Sequence, residues 1–199
     1  MRKIGVITAV IIVVIVCVVK VALVVQQGFG TRTEPSGVEA YLATRMRDWS
    51  VPKSSKVMRN PVPCSQEALA EARVHFADHC AICHANNGSG DSMFGRTMYP
   101  RPPDMRKQDT RRRSDGQLYY TIQNGVRLSG MPAFGEAGNH DTDTWKLVCF
   151  VRHLPSMTSE EERVMEALNP KTPDEFEEER QERNFLNGGG PPENHTHHK

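Results

Sequence analysis

The chain opens on an almost unbroken apolar run. From Ile4 to Val25 only Gly5, Thr8 and Lys20 interrupt it, and the apolar positions have no one-sided period. About 22 residues rising ~1.5 Å each are enough to cross a bilayer hydrocarbon core of ~30 Å. Arg2 and Lys3 precede the run, so the positive-inside rule holds them in the cytoplasm and exports the chain beyond Gln26. A cleavable signal peptide has a shorter apolar region of ~7–15 residues, so residues 1–27 read as a retained anchor. Cleavage near the small residues Gly28 and Gly30 is the alternative.

Downstream the pattern becomes amphipathic. Residues 28–37 read as a tether. Val38, Tyr41, Leu42, Arg45 and Trp49 then recur at helical spacing and predict a short helix ending before Pro52. Tyr41 and Trp49 are expected to dock that helix on the globular part, with contact at the membrane interface as the other reading. Lys53–Pro63 reads as an irregular connection. Ser65 is the N-cap expected for a helix over Gln66–Cys83, with Leu69, Val74, Phe76 and Ile82 as apolar contacts. Ser114 or Asp115 starts another over Gly116–Gln123, stopped by Asn124-Gly125. Asp141 or Thr142 starts a third, through Leu154 to Pro155. Thr158 and Glu161 form a capping box for a helix to about Leu168, and Asn169-Pro170 ends it. Thr172-Pro173 opens a last helix through Leu186, with Phe176, Phe185 and Leu186 as a narrow apolar stripe.

Composition narrows the classes. Of 199 residues 38% are hydrophobic, and the apolar run takes a large share, leaving one compact core of ~100 residues. The 25 Lys+Arg and 24 Asp+Glu nearly cancel, but residues 1–156 carry 20 basic against 13 acidic groups while 157–199 carry 5 against 11. Such segregation excludes a global nucleic-acid-binding character. Arg106, Lys107 and Arg111–Arg113 form a basic cluster, read as a solvated face or as a docking patch for an acidic partner.

Cys80-Ala81-Ile82-Cys83-His84 is the most specific feature. Two residues between the cysteines let one helical turn present both sulfurs to adjacent pyrrole rings, and the next residue falls under the iron, which is the attachment pattern of haem c. A zinc site would need a second such cysteine pair, and a thioredoxin-like site a β-α-β setting; neither is present. A second axial ligand is expected downstream. Met131, in Ser129-Gly130-Met131-Pro132, sits in a stiff turn able to present a thioether. Met93, Met98 and Met105 fall in a proline-rich stretch expected on the proximal side.

Cys80–His84, Gly88-Ser89-Gly90, Arg101–Asp104, Leu118–Gly125, Gly130–Phe134 and Trp145–Leu154 together resemble a class I c-type cytochrome of the membrane-anchored, monohaem bacterial kind. The resemblance spans about residues 62–157. It implies an all-α cytochrome c fold with three main helices around one covalent haem c. It further implies Cys80 and Cys83 as thioether sites, His84 as proximal ligand and Met131 as distal ligand. A carbonyl of Pro102 or Pro103 would support the histidine. In that fold the helix carrying Trp145, Leu147, Val148, Phe150 and Val151 crosses the first one. Cys64 and Cys149 then come onto crossing helices, where a disulfide is open but its distance is not legible; Cys17 lies in the anchor.

The expected organisation is anchor 1–27, tether and short helix 28–61, cytochrome domain 62–157, acidic helical extension 158–187 and a flexible tail 188–199. His195, His197 and His198 in the tail could form a weak divalent-metal site. No hydrolytic or transferase constellation is present, so the expectation is an electron-transfer protein rather than an enzyme. It would work on the outer face of the cytoplasmic membrane between redox protein partners. A fixed electron-transfer subunit of a larger membrane oxidoreductase, strapped in by the acidic extension, is the alternative, as is a haem-based ligand- or metal-binding protein.

Overall fold

The structure is a computed structural model that describes residues 2–28, 30–135, 141–171 and 173–188. Among the described residues every regular element is helical. Helix α1 (Arg2–Gln27) is apolar, and none of its Lys3–Leu23 stretch is buried against the rest of the chain. Helix α2 (Gly37–Ser50) starts at Ser36, whose hydroxyl accepts from Glu39 N, and α3 (Lys53–Lys56) is a single turn.

The core sits between α4 (Gln66–His75) and α8 (Thr142–His153), which cross. Ser65 caps α4 and Asp141 caps α8, so both begin where their capping residues predict. Phe76 and Phe150 meet at the crossing with ring centroids 5.0 Å apart. Leu147, Val148, Phe150 and Val151 are buried there. After the single turn α6 (Gln108–Arg111), helix α7 (Asp115–Asn124) opens on a Ser114–Gln117 capping box and lays Tyr119 on Trp145, stacked at 4.0 Å. Cys64 and Cys149 form a disulfide across the crossing.

The helix expected over Gln66–Cys83 is present, but not as one regular spiral. After α4 the backbone widens into a π-helical turn, Phe76–Cys80, and then resumes as α5 (Ala81–His84). Hydrogen bonds to the carbonyl five rather than four residues back mark an extra residue in the spiral. Periodicity does not reveal such an insertion.

The connection before α4 is tightly packed rather than loose. A Cβ on Gly116 would stand 1.9 Å from the Ser55 carbonyl oxygen, so only glycine admits this approach. The Ser114 hydroxyl donates to Lys56 O, and Asn60 Nδ2 donates to Trp145 O. Val51 is buried, and Asp48 receives Arg113 at 2.7 Å. The α2 aromatics behave otherwise than expected: Tyr41 and Trp49 are 58% and 77% exposed and do not dock the helix. Asp48 and Val51, one residue before the tryptophan and two after it, make the contact instead. Four members of the basic cluster are paired with carboxylates, Arg106 and Lys107 with Asp104, Arg112 with Asp109 and Arg113 with Asp48. Arg152 also bonds Asp115 and the carbonyls of Arg111 and Arg113. Much of that charge is thus spent within the fold.

The acidic extension begins inside the same core. Helix α9 (Ser159–Glu166) has the Thr158–Glu161 capping box, and its Met165 is wholly buried in the α4–α8 cluster. With its amide turned to satisfy its neighbours, Asn169 donates to Asn86 Oδ1, Ala77 O and Met165 O. The compact body therefore runs past residue 157. Glu161 joins the pieces: one carboxylate oxygen accepts from Arg73 of α4 and lies 2.9 Å from His153 Nε2 of α8, and the other caps Thr158 N. Helix α10 (Pro173–Leu186) leaves Phe176, Phe185 and Leu186 exposed.

Reducing the Cys64–Cys149 bridge, which spans 85 residues of sequence, is expected to cost roughly 2–5 kcal/mol, most of it through a freer unfolded chain. Urea midpoints with and without reductant, in the wild type and in Cys64→Ser, measure it; an unchanged midpoint would contradict it. Hydrogen bonding from Thr158 N holds the Glu161 carboxyl below its ordinary 4.5, helped by His153. A carboxyl depressed on folding stabilises above its unfolded pKa, and that gain is lost as pH falls through the folded value. Stability of the wild type should therefore drop toward that of Glu161→Gln below about pH 4.5, the two differing by roughly 1 kcal/mol at neutrality.

Candidate functional site

The turn α5 carries Cys80 at its N-terminal boundary and Cys83 and His84 at its end. Cys80, Cys83 and Cys17 are unpaired, whereas Cys64 and Cys149 are bonded to each other. Burial pushes the Cys80 thiol up to about 12, with the neighbouring Cys83 adding to it, and burial also raises Cys83. His84 is 8% exposed, and burial lowers it to about 4, so the imidazole is neutral at ordinary pH. Its Nδ1 is fully buried and has no hydrogen-bond partner. A buried polar nitrogen in that state costs about 1–3 kcal/mol, which marks the position as one built for more than packing.

The loop after His84 closes tightly on this turn. Ala85 takes φ 60°, a positive value unusual for a residue with a Cβ, and turns the chain back. Gly90 N donates to His84 O, and Ser92 Oγ donates to the carbonyls of Ile82 and Cys83, so the exposed end of the helix is satisfied. Met105 N returns to Gly88 O at 2.8 Å. A Cβ on Gly95 would come within 2.4 Å of Gly90 O and 2.5 Å of Cys83 O, both backbone atoms that cannot step aside. The expected bond from a proline carbonyl to His84 is not made. The Pro102 carbonyl oxygen lies instead against Gly90, 2.4 Å from where its Cβ would stand, and no acceptor from Pro102 or Pro103 reaches Nδ1.

Met131 lies half-buried in a loop folded back on the end of α7. Val126 N donates to Met131 O, Phe134 N to Ile122 O and Gly135 N to Gln123 O. Two contacts bring this loop to the motif. The Phe134 ring stands edge-on to His79, the residue before Cys80, at 6.5 Å. The methyl of Met98 occupies the space beside Gly130 where a Cβ would be. Met98 thus reaches the Met131 loop, a role its proline-rich surroundings do not suggest. His79 is a further residue that sequence reasoning misses; its only signal is His75 four residues earlier, whose ring lies 4.9 Å away. His195, His197 and His198 lie outside the described residues. Among the described residues no group of three or more His, Cys, Asp or Glu side chains could hold a metal ion.

A family model described as cytochrome c oxidase, cbb3-type, subunit III, matches residues 67–151. That span holds the cysteine–histidine turn, its closing loop, the Met131 loop and nearly all of α8. No curated protein matches the chain.

Gly95→Ala is expected to open the closing loop and to lower stability by roughly 1–3 kcal/mol, since backbone must move to admit the methyl. Ser92→Ala, which removes hydrogen bonds without a clash, should cost about 1 kcal/mol. Urea unfolding compares the two, and an alanine at 95 no worse than one at 92 would refute the packing argument.

Proposed function

We propose that the chain, whose residues 67–151 match a c-type cytochrome family model, carries single electrons through one covalently bound haem c. The observation that carries the reading is the pair of unpaired, mostly buried thiols beside a neutral, buried and unpartnered histidine, in a domain whose other two cysteines are already joined. Those donors fit the group. Cys80 and Cys83 would hold the porphyrin by thioether bonds, His84 would ligate iron from the proximal side and Met131 from the distal side. When bound, the haem would supply a reversible one-electron iron couple.

The chain's own residues then do three things. Ser92, Gly90 and Gly95 lock the carbonyls of the motif turn and so fix the backbone from which His84 projects. The Met131 loop, tied to α7 by two backbone bonds and closed on itself by a third, fixes where the thioether is offered. Trp145, Tyr119, Phe76 and Phe150 keep water from the core and so favour the less charged state of a buried redox group. The unsatisfied Nδ1 needs an acceptor, and a carbonyl of Pro102 or Pro103 is the one the reading assigns to it once the haem is in place.

Helix α1 is read as a single membrane span with its N-terminus in the cytoplasm and the cytochrome domain on the outer face. Length and apolarity support the span, the two leading cations its orientation. The Cys64–Cys149 disulfide supports an oxidising compartment. Redox protein partners in the membrane would give and take the electron. A second reading, a fixed electron-transfer subunit of a larger membrane oxidoreductase, is favoured by the family description, which names an oxidase subunit. Purification at fixed stoichiometry with other subunits would select it over a free carrier.

The test of haem ligation is an absorption spectrum of oxidised and reduced protein, with and without carbon monoxide, for the wild type and Met131→Ala. The wild type is expected to show a methionine–iron charge-transfer band and to ignore carbon monoxide, while the variant loses the band and binds the gas. Ready binding by the wild type would mean an open iron, overturning Met131 as ligand and favouring a haem-based ligand binder.

A further inference from the structure

Helix α2 presents an apolar face that the protein itself leaves uncovered. At about 100° per residue, Val38, Leu42, Met46 and Trp49 fall within an arc of about 80°, and they are between 53% and 77% exposed. Arg45 and then Tyr41 flank that arc on one side. The flanks of that arc are what the domain holds: Glu39, just beyond Met46, bonds Tyr99, and Asp48, just beyond Tyr41, pairs through Oδ1 with Arg113, while Asp48 O accepts from Lys56 and, just before the helix, Glu34 pairs with Arg101 at 3.0 Å. The helix is therefore held to the domain by polar groups on both flanks, with its apolar face turned outward.

The chain's own connectivity restricts what can cover that face. Residues 28–36 alone separate the end of α1 from the start of α2. Nine residues reach at most about 30 Å, so if α1 spans the bilayer, the apolar face is never far from the lipid headgroups. A tether that short also makes the second contact intramolecular and raises its effective concentration. The residue types suit that location. Trp49 and Tyr41 have amphipathic rings of the kind enriched at membrane interfaces, and Arg45, whose guanidinium lies 5.2 Å over the Tyr41 ring, can extend its charge to the headgroups. Glu39 and Asp48 balance Arg45 and Arg47 within the helix, so attraction to anionic lipid is not the driving term; burial of apolar surface is.

We propose that α2 lies in the outer membrane–water interface on its Val38–Leu42–Met46–Trp49 face, and that its polar clamp to Arg113, Lys56 and Tyr99 thereby fixes how the cytochrome domain is turned toward the membrane. The proposal rests on the reading of α1 as a membrane span. The test uses the full-length, haem-loaded chain in phosphatidylcholine vesicles with Cys17→Ser as background, spin-labelled singly at Leu42→Cys, Thr44→Cys or Val13→Cys. Relaxation by oxygen, which concentrates in lipid, is compared with relaxation by a water-soluble nickel chelate. The oxygen-to-nickel ratio is expected to be highest at position 13, several-fold higher at 42 than at 44, and low at 44. If 13 is in lipid while 42 and 44 report equal nickel access, the interfacial helix is refuted and the anchor stands. Nickel access at 13 would overturn the anchor itself. A label at 42 shielded from both reagents would mean that protein, a second copy or another subunit, covers the face, which also overturns the lipid assignment.

Discussion

Helices α4 and α8 cross where Phe76 meets Phe150 at 5.0 Å and Cys64 is bonded to Cys149, and the position of every other element in the compact body depends on that crossing. Helix α7 stacks Tyr119 on Trp145 of α8, and α9 inserts Met165 into the same cluster. The motif turn α5 is the continuation of α4, so its place in space is inherited from the crossing rather than from contacts of its own. Close packing makes this inheritance stiff, because a core at native density has few alternative arrangements of comparable energy.

On that base the candidate site is assembled from loops whose freedom has been removed. The stretch after His84 closes by hydrogen bonds onto helix carbonyls and by glycines that admit backbone where a side chain would not fit. The Met131 loop is fastened to α7, and it meets the motif through Phe134 on His79 and Met98 on Gly130. A redox site gains from such rigidity, since small motion of the ligands between charge states keeps the cost of reorganisation down. The acidic segment adds another constraint, because Glu161 bonds at once to α4, to the end of α8 and to its own helix start.

Much of the architecture is legible in local chemistry. Ser65, Ser114, Asp141 and Thr158 announce helix starts because a short side-chain acceptor satisfies backbone N–H groups wherever it stands, and all four cap in the structure. The Cys80–His84 spacing is equally local. The features that sequence does not reveal depend on distances between remote segments. Trp49 and Tyr41 are expected to dock because aromatics usually bury, yet the pairing of Asp48 with Arg113 decides which side of α2 faces the domain. Met165 looks like part of a solvated extension because its neighbours are acidic, but it is core. The proline carbonyl expected on His84 sits against Gly90, a displacement that no spacing rule resolves.

The π-helical turn separates two registers within one continuous helix. Up to it the inward positions are Leu69, Ala72 and Phe76; beyond it they are Ala77, Ala81 and His84. Continuing the first register without the extra residue would have turned positions 80 and 83 inward and carried 84 toward solvent, a rotation of about 100°. The widened turn thus acts as a phase shifter. It leaves both cysteines half-exposed on the flank of the helix and puts the imidazole on the side that stays dry.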